Sequence, residues 1–153
     1  MLNKILLSTT LLGALFQSNP INASGEFFWD PQGIANLTKL KSLNLGGRGL
    51  TMLPPKIFAL TNLTSLNLSN NRISELDEAI VSLRQLRQLN LSGNRLTSLP
   101  SNLGNLVSLE ELDVENNNLS GLPKSMSKLT RLEKLSIGGN PFVSNIPDEF
   151  YGD

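Results

Sequence analysis

Leucine returns in this chain with a fixed 23-residue period, and that period limits the possible fold more than any other feature. The stretch LRQLNLSGNRLTSLP, Leu86 to Pro100, sets leucines at 86, 89, 91, 96 and 99 with an asparagine at 94. The steps between those leucines, 3, 2, 5 and 3, suit neither a helix nor a strand alone. Moved by multiples of the period, the same order recurs along the chain. Leu43, Leu66, Leu89, Leu112 and Leu135 form one column, and Leu45, Leu68, Leu91, Val114 and Ile137 form a second. Leu40, Leu63, Leu86, Leu109 and Leu132 precede the pair, while Leu50, Ile73, Leu96, Leu119 and Phe142 follow it. Asparagine recurs at 71, 94, 117 and 140, and proline at 31, 54, 100 and 123. A period of this length marks stacked copies of one supersecondary unit, none of which can bury its apolar face alone.

Each unit divides into two halves with different periodicities. The step of two, as from Leu89 to Leu91, predicts a short strand whose alternate side chains face the core. An asparagine such as Asn94 then suits the bend that follows, where its amide bonds to backbone; stacked copies make a ladder that satisfies polar atoms between coils. The apolar spacing of three and four in the second half predicts a short helix or 3₁₀ turn that returns the chain on the outer side.

At these columns the chain resembles the leucine-rich repeat family. Its units read LxxLxLxxNxLxxLPxxIxxLxxL, as in LTSLNLSNNRISELDEAIVSL from Leu63 to Leu83. The resemblance runs from about Pro31 to Tyr151. It implies an α/β solenoid: an arc with short parallel strands on the concave face and 3₁₀, short helical or irregular segments on the convex face. Strands pack about 4.8 Å apart and the outer segments need more room, so the stack bends toward the strands.

Residues 1–23 stand apart from the repeats. Lys4 precedes an apolar run from Ile5 to Phe16, and the polar stretch Gln17 to Ala23 closes on small residues at Ala23 and Ser24. That order predicts a secretory signal peptide over 1–23. The run contains Ser8, Thr9 and Thr10 and is too short for a comfortable transmembrane span, which makes an uncleaved anchor the lesser reading. Its removal leaves 24–153 still close to neutral, because Lys4 is the only charged side chain lost.

A bare solenoid end exposes leucines and an unpaired strand, so both ends are expected to be capped. Residues 24–36 form the expected N-terminal cap and half-repeat, with Phe27, Phe28 and Trp29 as its apolar surface. Five repeats are expected over 37–141 and a C-terminal cap over 142–153, closed by Phe150 and Tyr151. One extra residue in the last unit puts Ile146 and Pro147 one place late, a spacing similar to plant-type extracellular repeats. The cysteine-paired caps usual in the family's secreted receptors have no counterpart here, since the chain lacks cysteine. Arg48 also departs from the pattern at a turn-asparagine position, a bend that Gly46, Gly47 and Gly49 are placed to solve.

Composition excludes several functions. With neither cysteine nor histidine, the chain lacks the thiol nucleophile, the usual metal ligands and the commonest general base near neutral pH. No catalytic residue, metal or cofactor is expected. Thirteen basic and thirteen acidic residues give no net field toward nucleic acid. A membrane is expected to meet the chain only transiently, through the signal segment.

The resemblance implies protein recognition by the concave strand face. The outward residues there are Ser42, Asn44 and Gly46; Ser65, Asn67 and Ser69; Gln88, Asn90 and Ser92; Glu111, Asp113 and Glu115; and Lys134, Ser136 and Gly138. Asn44, Asn67, Gln88, Asn90, Glu111, Asp113, Glu115 and Lys134 are the expected partner-binding set. The face presents no aromatic anchor of the kind that dominates tight interfaces.

Glu111, Asp113 and Glu115 put three carboxylates on one strand, and Lys134 is placed to neutralise part of their charge. Solubility, contact with a basic partner and calcium are the available readings, but a nearly flat strand cannot surround calcium with six oxygens. The column of Asn44, Asn67, Asn90 and Asp113 reads as a recognition ladder or as simple duplication.

Sequons at Asn36, Asn62, Asn67, Asn90 and Asn118 follow almost automatically from the repeat, and signify glycosylation only in a host that glycosylates. Arg84, Arg87, Lys124, Lys128 and Arg131 read as a solvated convex side. The expected function is an exported, non-catalytic protein-binding module with one partner class, a protein, and a basic one if the acidic row makes contact. The alternative is an intracellular leucine-rich repeat scaffold or signalling adaptor.

Overall fold

The computed structural model describes residues 38–142, within which the expected repeats take up nearly the whole length. Five strands of three residues each, β1 (Ser42–Asn44), β2 (Ser65–Asn67), β3 (Gln88–Asn90), β4 (Glu111–Asp113) and β5 (Lys134–Ser136), form one parallel sheet in chain order. Every pair keeps the register of the sequence period: Leu43 faces Leu66, Leu66 faces Leu89, Leu89 faces Leu112, and Leu112 faces Leu135. A slip by one residue would turn this column out to solvent, so burial of one face holds the register.

Between strands the chain returns through 3₁₀ segments at Pro55–Ala59, Glu78–Ser82, Leu103–Asn105 and Lys124–Lys128. Extended Pro54 and Pro123 open the first and fourth. At the corresponding place in the second, Asp77 caps instead, its side chain accepting the Ala79 N–H at 2.8 Å. Gly104 lies so close beneath the Ser125 carbonyl that an added Cβ would collide with it, which draws the third and fourth segments together.

The core is a stack of aliphatic layers. Leu45, Leu68, Leu91 and Val114 are fully buried, as are Leu63, Leu86 and Leu109 and the convex Ile57, Ile80 and Leu103. Side chains of this size each contribute about 1.5–3 kcal/mol on burial. The last coil is more open: Leu135 is 39% exposed, against 2% for Leu43 in the same column.

Asparagine does what the repeat predicts at the inner bend. Asn94 is 8% exposed. Its Nδ2 donates to the carbonyls of Leu68 and Leu91 at 2.9 Å and of Ser92 at 3.4 Å, and its Oδ1 accepts the Ile73 N–H at 3.1 Å. Asn71, Asn117 and Asn140 repeat the arrangement, each donating to the coil before it as well as to its own. Arg48 leaves the first coil without this residue. Asn71 of the next coil accepts the Leu50 N–H at 3.0 Å, the same bond that the other ladder asparagines make, and its Oδ1 takes the Arg48 N–H at 2.9 Å in addition. Gly47 and Gly49, both at positive φ, supply the turn, while Gly46 is not in the left-handed region.

The signal peptide expected over 1–23, the cap over 24–36 and all of the C-terminal cap except Phe142 lie outside the described residues. Replacing Asn94 with Ala leaves the Ile73 N–H without its partner and takes one of two donors from each of the Leu68, Leu91 and Ser92 carbonyls, which keep Asn71 Nδ2, Asn117 Nδ2 and the Asn70 N–H. The expected cost is about 2–4 kcal/mol in urea unfolding, with a lower midpoint and an unchanged slope. A loss under about 1 kcal/mol would show that the ladder is not what holds the coils.

Candidate functional site: the concave strand face

Because core leucines occupy the middle of every strand, the flanking residues point the other way and line up across the sheet. Ser42, Ser65, Gln88, Glu111 and Lys134 form one row, and Asn44, Asn67, Asn90, Asp113 and Ser136 form the next. Between them lies a shallow open depression of about 250 Å³, to whose lining Asn67, Gln88, Asn90, Glu111, Asp113 and Lys134 all contribute. The structure therefore brings six of the eight expected binding residues to one place. Asn44 stands beyond its rim on β1, and Glu115 beyond it just past the end of β4.

The second row has a structural duty as well. Asn44, Asn67 and Asn90 each accept, through Oδ1, the N–H two residues on, at 2.9 Å to Gly46, Ser69 and Ser92. Asp113 accepts the Glu115 N–H in the same way at 3.0 Å. These Asx turns end the strands, so duplication is not the whole reason that this column keeps asparagine or aspartate.

Charge sits unevenly over the depression. Glu111 lies opposite Lys134 in the register but forms no ion pair with it among the described residues; Glu111 instead accepts Gln88 Nε2 at 3.2 Å. The one ion pair among the described residues joins Arg87 and Glu110 at 2.9 Å beside this row. At such exposure a pair contributes at most about 1 kcal/mol. The carboxylates of Glu111, Asp113 and Glu115 are thus without a paired cation among the described residues. They also do not converge: no group of three or more acidic side chains among the described residues is arranged to hold a metal.

Sequence reasoning overlooked one column. Gly47, Asn70, Gly93, Asn116 and Gly139 all take positive φ, between 53° and 69°, one in each coil directly after the concave row. The alternation of glycine and asparagine, the residues that best tolerate this region, was the available signal. These turns lead the chain from the concave face into the buried ladder.

A family model described as leucine-rich repeat region matches residues 29–138, and one described as leucine rich repeat matches residues 131–152. The chain belongs to the leucine-rich repeat family. No curated protein matches its sequence. Among solved structures it is similar to an internalin from Listeria monocytogenes, at 32% identity and a TM-score of 0.60 over 71% of this chain and 31% of that one. The leucine-rich repeat ectodomain of the receptor kinase SOBIR1 from Arabidopsis thaliana matches at 30% identity and 0.61, over 83% and 81%. The plant peptide hormone receptor RGFR1, in complex with RGF2, matches at 33% and 0.64, over 76% and 21%. The chain thus spans about a third of the internalin it matches. The leucine-rich repeat fold is a protein–protein interaction module, and the family is generally non-catalytic.

The two asparagine columns differ in what aspartate does to them. Asn90→Asp keeps the Oδ1 acceptor that its turn needs, as Asp113 shows one coil on. It is expected to leave stability within about 0.5 kcal/mol of the parent chain, as for most surface exchanges. Asn94→Asp puts a carboxylate against three carbonyls and is expected to cost several times more. Thermal unfolding of the two variants side by side would separate them; equal losses would refute the division of roles.

Proposed function

We propose that this chain is an exported, non-catalytic module that binds a protein partner on its concave strand face, through Asn44, Asn67, Gln88, Asn90, Glu111, Asp113, Glu115 and Lys134. The observation that carries the reading is the register: β2 to β5 present polar side chains to one open depression and β1 continues the same two rows, while the central leucines of the strands face the core. One row closes the Asx turns, and both rows hold their side chains in register across the sheet. Rigid presentation lowers the entropic cost of ordering an interface.

The carboxylates of β4 and its flank lack a paired cation among the described residues, so a basic partner surface is the complementary choice. Electrostatic matching of this kind acts mainly on association rate and selectivity, in keeping with a face that has no aromatic anchor. Likeness to a receptor ectodomain and to a peptide hormone receptor in complex with its peptide supports both a protein ligand and an extracellular setting. Export rests on the signal-like order of residues 1–23, and the cap roles of 24–36 and 142–153 follow from the repeat register.

The test compares the full chain as bait with a variant carrying Glu111→Lys, Asp113→Asn and Glu115→Lys, in which asparagine preserves the Asx turn at 113. Capture of a protein by the first bait and its loss from the second is the expected result, with the difference shrinking as salt is raised. Identical capture by both baits would move the binding surface elsewhere. The N-terminal residue of the natural protein decides the setting: Ser24 is expected, whereas retained Met1 favours the intracellular scaffold.

A further inference from the structure

The Asx turns leave a pattern of hydrogen-bonding capacity across the sheet, and that pattern has a direction. In Asn44, Asn67 and Asn90 the amide oxygen is committed to a backbone N–H at 2.9 Å, and Asn90 Oδ1 accepts the Ser92 hydroxyl at 2.7 Å as well. Flipping any of these amides would set an NH₂ group against an N–H, so the orientation is fixed by chemistry. What each asparagine has left is its NH₂ group, which makes no hydrogen bond among the described residues. Over β1, β2 and β3 the row therefore offers donors in register. Their spacing is that of neighbouring strands, about 4.8 Å.

On β4 the same turn is made by Asp113, which has no donor: beyond the oxygen that takes the Glu115 N–H, it offers a second acceptor and a negative charge. The row thus reverses its hydrogen-bonding sense between β3 and β4 with no change of backbone or register.

We infer that this row reads the direction of an extended peptide segment, with acceptors of the ligand, chiefly main-chain carbonyls, over β1 to β3 and a lysine or arginine side chain over β4. The inference rests on the concave face being the binding surface. Peptide is the occupant that fits, because a carbonyl can only accept and a lysine or arginine can only donate, so each discriminates between the two halves of the row. A sugar hydroxyl both donates and accepts and would be indifferent to the reversal. Asn67 and Asn90 are then specificity residues of the donor half and Asp113 of the acceptor half, and all three line the depression.

The exchange already present between Asn90 and Asp113 supplies the test, since aspartate and asparagine serve the turn equally. The probes are acetylated, amidated nonapeptides of neutral residues with one lysine near either end and a nitroxide label at the opposite end. They are titrated into the isotope-labelled full chain and followed by NMR. The expected result is a set of shifts at Ser65–Asn67 and Gln88–Asn90, with the nitroxide broadening Ser42–Asn44 rather than Lys134–Ser136.

Asp113→Asn is expected to weaken the lysine peptides about tenfold and to leave lysine-free controls unchanged. Asn67→Asp combined with Asn90→Asp is expected to weaken all the peptides about tenfold while the Tm holds. Shifts on the concave face with the label at β5 or at both ends, or affinities indifferent to these exchanges, would overturn the directional inference and leave the concave reading standing. Shifts confined to the 3₁₀ side, or no shifts at all, would remove both.

Discussion

The structure depends on one buried polar interaction, the asparagine ladder. Between successive coils the chain must bend sharply where the core is closed on both sides, which strands carbonyls away from water at a cost of about 1–3 kcal/mol each. Asn71, Asn94, Asn117 and Asn140, all at most 8% exposed, meet that demand with an amide that reaches the preceding coil and its own at once. Leucine burial provides most of the driving force but is non-directional and would tolerate other stacking offsets. The ladder is directional and couples each bend to its neighbour, so one coil's turn is complete only when the next is in place. Arg48 illustrates this coupling: the first coil lacks its own asparagine and its bend is bonded by Asn71 of the second.

Two asparagine columns stand side by side with different duties. The buried one is held to asparagine by needing both a donor and an acceptor. The exposed one needs only an acceptor, and there Asp113 replaces asparagine without disturbing the turn. That tolerance lets the concave face change its charge and hydrogen-bonding sense from coil to coil over a constant backbone. The physical reason is that residues that close the core and residues that face outward alternate along the same short strands.

Much of this was legible in the chain, for reasons that differ by residue. Leu43, Leu66, Leu89 and Leu112 announced the strands because burial of one face at period two leaves few alternatives. Asn94 announced the ladder because a polar residue at an otherwise apolar bend needs a reason. The outer half was left between short helix and 3₁₀ because its apolar spacing fits either; the described residues have 3₁₀ throughout, with proline or aspartate at the entry of three of the four segments. The left-handed column of Gly47, Asn70 and Gly93 went unread because glycine and asparagine signal a turn in general and not which φ it takes. Partial neutralisation of Glu111 by Lys134 looked natural from their register, yet Glu111 takes Gln88 instead.

By itself, then, the sequence determined the repeat, the register, the identity of the core and the membership of each concave row, because all of these follow from one constant period and from alternation along a strand. Only the tertiary structure decided which polar atoms those rows have left to offer. An asparagine's free donor depends on where its oxygen is spent, and a carboxylate's free charge on which neighbour reaches it first. Both are settled between residues one coil apart or across a turn, by distances that a list of side chains does not contain.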